Sequence, residues 1–265
     1  MLAALTSALF LLPACAPQDP LGYTDTPKLP NSEWRVHDRD RPRPTVVTPA
    51  AVPEVPSKAP SDAVVLFDGS QSEGVLKGWR GRDGDAAWKL VEDCADHVAM
   101  EVNGTGDIQT RQEFGDVQLH LEFQTAAEVH GDSQHRGNSG VFFMGRYELQ
   151  ILDSFENPSY ADGQCAALYG QTPPRVNACR RPGEWQTYDV VFRAPRFEDG
   201  ELKSPAKITV LHNGVAVHID QEFIGETAHR NVARYNAHAA RGPIRLQDHG
   251  NPMRFRNIWV RPLED

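Results

Sequence analysis

Long apolar runs are missing from this 265-residue chain. No uninterrupted hydrophobic stretch reaches the roughly 18 residues of a membrane-spanning helix, so a spanning helix is excluded. Positive charge is short as well. Lys and Arg number 27 against 36 Asp and Glu, a formal charge of −9, which disfavours electrostatic capture of nucleic acid or of an anionic membrane. Cysteine is scarce, at four residues, and no Cys-x-x-Cys or His-x-x-x-His pair offers zinc-like spacing. No internal repeat of about 20–50 residues is present, which argues against a propeller. What is there is 40% hydrophobic, too apolar for wholesale disorder and enough for one sizeable domain or two small ones.

Leu2 to Leu12 form a short apolar run interrupted only by Thr6 and Ser7, ending in Leu12-Pro13-Ala14-Cys15. That is the pattern of a secretory h-region leading into small residues. The segment resembles the bacterial lipobox. The resemblance implies that Cys15 becomes a lipidated N-terminus and that the body is exported and held in the cell envelope through that lipid alone. A cleaved signal peptide without lipid, or a buried apolar segment, are the alternatives. Residues 16–62 then hold ten of the 20 prolines. They are expected to form neither helix nor sheet and to act as an extended spacer; the alternative is that the region around Trp34 docks on the body. In an oxidising envelope, Cys165 and Cys179 are the expected disulfide, leaving Cys94 free.

From residue 63 to 265 the chain reads as strands, with no amphipathic helix longer than three turns. The clearest is Val117 to Gln124, where Val117, Leu119, Leu121 and Phe123 alternate with Gln118, His120, Glu122 and Gln124, one dry face and one wet. At least ten further runs read similarly, and Asn213-Gly214 is a hairpin signal because it tolerates a type I′ turn. The predicted fold is all-β, a jelly-roll sandwich of two antiparallel sheets.

Two stretches carry titratable groups. In Tyr147-Glu148-Leu149-Gln150-Ile151-Leu152-Asp153, Glu148 and Gln150 share a face, and a β-bulge at Ile151–Leu152 would bring Asp153 to the same side. The pattern is similar to the catalytic strand of laminarinase-like β-glucanases, except that Gln150 replaces the middle acid and Asp153 the last. In the second stretch, Gln247 and His249 share one strand face, and Arg254 and Arg256 share one on the next. An imidazole among polar neighbours serves as acid or base near neutral pH, and a guanidinium steadies a developing oxyanion. A surface role for these groups, with His249 capping a turn and Arg256 pairing with an acid, is the plain alternative.

Several separated motifs, namely Phe67-Asp68-Gly69, Gly137-Asn138-Ser139-Gly140-Val141-Phe142, the Glu148 stretch, Leu168-Tyr169-Gly170-Gln171, Pro182-Gly183-Glu184-Trp185, His212-Asn213-Gly214 and Leu246-Gln247-Asp248-His249-Gly250 followed by Phe255-Arg256-Asn257-Ile258, resemble the 3-keto-disaccharide hydrolase family. The resemblance spans nearly all of residues 63–265. It implies a concanavalin A-like jelly roll and substrates whose glucose C3 is a ketone. A 3-keto group acidifies the C2 hydrogen, so a base could remove it and the aglycone could leave from C1, with water completing a net hydrolysis. The expected base is Glu148 or His249, with Arg256 on the enolate oxygen and Asp153 and Gln150 positioning. Asn138, Tyr169, Gln171 and Gln247 are expected at the sugar, and His238 closing over it. A divalent ion held by Glu148, Asp153 and His249 would suit a mixed carboxylate and imidazole set. A lectin-like binding module and a hydrolase of unoxidised glucans are the competing readings.

Overall fold

The computed structural model describes residues 21–51, 58–70, 74–94 and 97–263. The apolar leader and Cys15 lie outside the described residues. The strands run β1 (Thr45–Val46), β2 (Val64–Phe67), β3 (Trp79–Arg80), β4 (Lys89–Glu92), β5 (Val98–Glu101), β6 (Ile108–Phe114), β7 (Val117–Gln124), β8 (Asn138–Phe143) and β9 (Tyr147–Leu152). They continue as β10 (Val176–Asn177), β11 (Trp185–Arg193), β12 (Arg196–Glu198), β13 (Glu201–Ser204), β14 (Lys207–His212), β15 (Val215–Glu222), β16 (Gly242–Leu246) and β17 (Arg254–Pro262).

Eight strands form one sheet, in the order β15-β14-β11-β7-β17-β5-β4 with β2 paired to β17. Five form the other, β3-β6-β16-β8-β9. The core lies between them. Leu119, Leu121 and Phe123 of β7 and Val190 and Phe192 of β11 face Val141 and Phe143 of β8 and Leu149 and Ile151 of β9, all buried in one cluster. Phe143 stacks on Phe192 across the two layers at 4.6 Å. This is the all-β jelly-roll sandwich that strand alternation predicts. The Asn213-Gly214 hairpin joins β14 to β15, with both residues at positive φ, 52° and 77°.

β6 escapes sequence reading because Ile108-Gln109-Thr110-Arg111-Gln112-Glu113-Phe114 carries apolar residues only at its ends. The wet face of β7 also departs from expectation. His120 and Glu122 are buried, and the stacked Trp259 ring covers His120.

The larger departure is the proline-rich segment. Residues 21–51 are not a free spacer; they dock on the sandwich. β1 pairs in parallel with β10, Leu29, Val36 and His37 are buried, and Arg43 Nε donates to Ser159 O at 2.7 Å. Proline blocks helix and central strand, but it does not prevent docking through side chains and a few main-chain bonds.

The expected Cys165–Cys179 bridge is not formed. Both are buried free thiols, and they lie side by side. Each sulfur has another polar neighbour, Tyr188 Oη at 3.1 Å for Cys165 and Leu152 O at 3.8 Å for Cys179.

Candidate active site

Strand alternation on β8 and β9 sends Val141, Leu149 and Ile151 into the core and turns Glu148, Gln150 and Phe142 to the opposite face of the five-stranded sheet. Glu148 is registered against Phe142, and Gln150 against Gly140. On this face lies a cleft of about 510 Å³. Asn138, Glu148, Gln150 and Gln247 line its sheet side, with His135 and His249 at one rim.

Gly140 makes room for the carboxyl. A Cβ there would stand 2.6 Å from Glu148 Oε1, well inside van der Waals contact. Glu148 is only 4% exposed, and among the described residues its carboxyl accepts no hydrogen bond; its backbone N–H donates to Thr227 Oγ1. Burial therefore pushes its pKa up to about 8, partly opposed by the Arg245 charge and helped by Asp107. The group is mostly a carboxylic acid at neutral pH.

His249 is shifted the other way. Solvent reaches its ring, yet the protein packed around it, and then the neighbouring His135, lower its pKa from 6.5. It is a neutral imidazole at pH 7. The backbone leading to it is held by Gln247 N–H donating to Gly140 O at 3.0 Å and by Ser139 Oγ donating to Gln247 O at 2.7 Å.

The far wall is aromatic, and part of it comes from the docked N-terminal segment. Tyr23, Tyr160, Tyr169 and His229 line the cleft. Tyr169 Oη lies 2.9 Å from Tyr160 Oη and 3.0 Å from His229 Nδ1. Behind them sits His37, whose ring centroid is 4.3 Å from that of Tyr160 and 4.8 Å from that of Tyr169. Asp162 holds it, accepting from the His37 backbone N–H at 2.9 Å and lying 3.3 Å from Nδ1. Gly170, at φ 72°, lets the chain pass close to this ring; a Cβ there would be 3.2 Å from His37 Cε1.

The sequence pattern of the 3-keto-alpha-glucoside-1,2-lyase-like domain matches residues 62–261. The chain belongs to this family. A protein of Parabacteroides distasonis ATCC 8503 described as a putative glycosyl hydrolase is 41% identical, with a TM-score of 0.73 over 84% of this chain and 93% of its own. Two further proteins of that organism with the same description, at 19% and 20% identity, reach TM-scores of 0.52 and 0.51 over 76% of this chain, a likeness of fold alone. No curated protein matches. The 3-keto-glucoside lyase-like family is one of carbohydrate-active enzymes, and every described cleft-lining residue except Tyr23 lies within the span that its pattern covers.

Of the residues expected to act in a member of this family, Glu148, His249, Asn138, Gln150, Tyr169 and Gln247 are brought together in the cleft. Four are not. Arg256 belongs to the eight-stranded sheet, where it is registered against Glu122. Its Nε donates to Glu122 at 2.7 Å, its Nη1 donates to Asp93 at 2.7 Å, and its guanidinium lies 4.2 Å from the centre of the Trp185 ring. The expected convergence of acid, imidazole and guanidinium therefore does not occur, because Arg256 is on a different sheet from Glu148 and is fully engaged there.

Asp153 is also elsewhere. Register between β8 and β9 runs without the expected bulge, and Asp153 lines a separate small cavity, where Arg136 Nε donates to it at 2.7 Å. Gln171 is buried and bonds the backbone of Gly225 and Ile224. His238 lies 2.7 Å from Tyr147 Oη and packs on Phe197, away from the cleft.

The candidate ion set of Glu148, Asp153 and His249 is not assembled, because Asp153 lines the other cavity. Among the described residues no three His, Cys, Asp or Glu side chains are grouped to hold an ion, so the residues present do not fit one. The cleft residues that sequence reading missed are Tyr23, Gln134, His135, Phe142, Tyr160, Thr227 and His229. Only Tyr23 lay in a segment whose alternative, docking on the body, was legible.

Proposed function

We propose that the protein cleaves the glycosidic bond of 3-keto-glycosides, 3-keto-disaccharides among them, by elimination with net hydrolysis. What carries this reading is a pair of groups in one cleft tuned in opposite directions, an uncharged imidazole at His249 and a protonated carboxyl at Glu148. His249 removes the C2 proton, and the electron pair passes into the enolate on the C3 ketone. As the enolate collapses to a C1–C2 double bond, the C1–O bond breaks and Glu148 gives its proton to the departing oxygen. Water added across the double bond yields the free 3-keto-sugar. With Arg256 outside the cleft, the Tyr169 hydroxyl and the Asn138 and Gln150 amides are the cleft-lining neutral donors for the enolate oxygen in this reading.

Glu148 is the one carboxylate among the described cleft-lining residues. Ordinary glycosidases need two flanking carboxyls, and this favours the ketone route over hydrolysis of unoxidised glycans. The test is incubation of the purified protein with a 3-keto-glucoside and with its unoxidised parent. Release of aglycone from the ketone alone supports the reading. Release from the parent, or binding without release from either, overturns it. On the Leu2–Cys15 segment we propose that the protein is exported and lipid-anchored; mass analysis of its mature N-terminus would show diacylated Cys15.

A further inference from the structure

The cleft occupies only one end of the five-stranded sheet. Register places Glu148 against Phe142, Phe142 against Arg245, Arg245 against Gln109, and Gln109 against Arg80. One row of side chains thus crosses all five strands, from β9 to β3. Its first two members line the cleft. Its last three line a second depression of about 730 Å³, together with Arg82, Asp83 and Asp107. The two depressions adjoin where Phe142 of the cleft touches Arg245 of the depression, the guanidinium lying 3.8 Å from the centre of the Phe142 ring, and the Arg245 charge is felt by Glu148.

The chemistry of the second depression differs from that of the first. No Lys or Arg is among the described residues lining the cleft, whereas three guanidinium groups line the neighbouring depression. Of its two carboxylates, Asp107 is already occupied, accepting from Arg245 Nη1 and from Asp248 N–H, each at 2.9 Å. With the Gln109 amide turned so that its oxygen faces Arg80, Arg80 donates to it from Nε and Nη2 at 3.0 and 2.8 Å, which fixes the guanidinium plane and leaves Nη1 to a ligand. Arg245 Nε is buried and has no hydrogen-bond partner. Arg82 is exposed. Planar forks held at known angles suit a carboxylate, which they bind through paired N–H donors.

We propose that this depression is the subsite for the departing half of the substrate, and that it selects a leaving group bearing a carboxylate, as a hexuronic acid does. The proposal rests on the reading of the cleft as the seat of 3-keto-glycoside cleavage. Glu148, at the junction, is then placed to protonate the oxygen that joins the two halves.

Binding is tested apart from turnover, by calorimetric titration of the intact protein with sodium glucuronate and with glucose. Glucuronate is expected to bind at least tenfold more tightly than glucose, and Arg80→Gln and Arg82→Gln are expected to remove most of that difference. Arg82, being exposed, keeps the test open if Arg80→Gln does not fold. Equal binding of the two sugars, or an unchanged preference in the folded variants, overturns the subsite. A second arm compares kcat/KM for 3-keto-glucosyl-glucuronate and 3-keto-glucosyl-glucose. Cleavage of both with no preference for the uronate overturns the subsite and leaves the cleft reading standing. Arginine-dependent uronate binding with no cleavage of any ketone keeps the subsite and overturns the cleft reading.

Discussion

Replacing Glu148 with Gln should make the enzyme poorer and the fold sturdier, and the second effect should depend on pH. The carboxyl is buried without a hydrogen bond among the described residues, which raises its pKa from 4.5 to about 8. A group whose folded pKa is raised contributes fully below its unfolded pKa, and that contribution is lost as pH rises through the folded value. At 1.36 kcal/mol per unit, the wild type should lose about 3 kcal/mol relative to Glu148→Gln by pH 7, and on the order of 5 kcal/mol above pH 8. For a domain of this size that is roughly 6–12 °C in Tm at pH 7. Below pH 4.5 the two proteins should melt together. The same substitution removes the proton donor, so release of aglycone from a 3-keto-glucoside should fall about 10²–10⁴-fold. Thermal melts at half-unit steps from pH 4 to 9, paired with turnover, test both. A Tm difference that stays flat across that range would refute the account of the buried acid, and turnover within tenfold of wild type would remove Glu148 from the chemistry.

The wild-type profile of kcat/KM should be bell-shaped, rising as His249 loses its proton below pH 6.5 and falling near pH 8 as Glu148 loses its own; His249→Ala should lower the rate and abolish the acid limb. Gly140→Ala would drive a methyl group against Glu148 Oε1 and should cut turnover at least tenfold while circular dichroism stays unchanged. Arg256→Met should act on stability instead. It leaves Glu122 and Asp93 facing one another without their shared cation, a loss of about 3–5 kcal/mol for a broken buried pair, read as a lower urea midpoint with little change in kcat for the protein still folded. Tyr23→Ala, which opens one wall of the cleft, should raise KM severalfold with a smaller effect on kcat.

What could be read from the residues was whatever depends on the local period. Alternation in Val117–Gln124 and the Asn213-Gly214 turn lead to the sandwich, and alternation at Glu148 and Gln150 places both on one face. Gln247 and His249 join them because β16 lies beside β8 in the five-stranded sheet. What could not be read was which sheet a strand enters. Arg256 lies only seven residues beyond His249 in sequence, but the turn between them carries the chain from one layer to the other, so adjacency along the chain misled. Asp153 failed for a different reason. Its return to the Glu148 face required a bulge, and an unbroken ladder gives no sequence sign of its regularity. The docked segment was hidden by its own composition, since prolines announce what a backbone does not do and say little about where its side chains settle.

That docking bears on where the protein can be cut. The family pattern begins at residue 62, and a fragment started there would keep every strand of both large sheets. It would lose Tyr23 from the cleft and lay bare the Tyr160 ring and the Asp162 carboxylate, both now under the His37 side chain. Such a truncated sandwich would be open along one flank, and a feeble activity measured on it would describe the missing flank more than the catalyst.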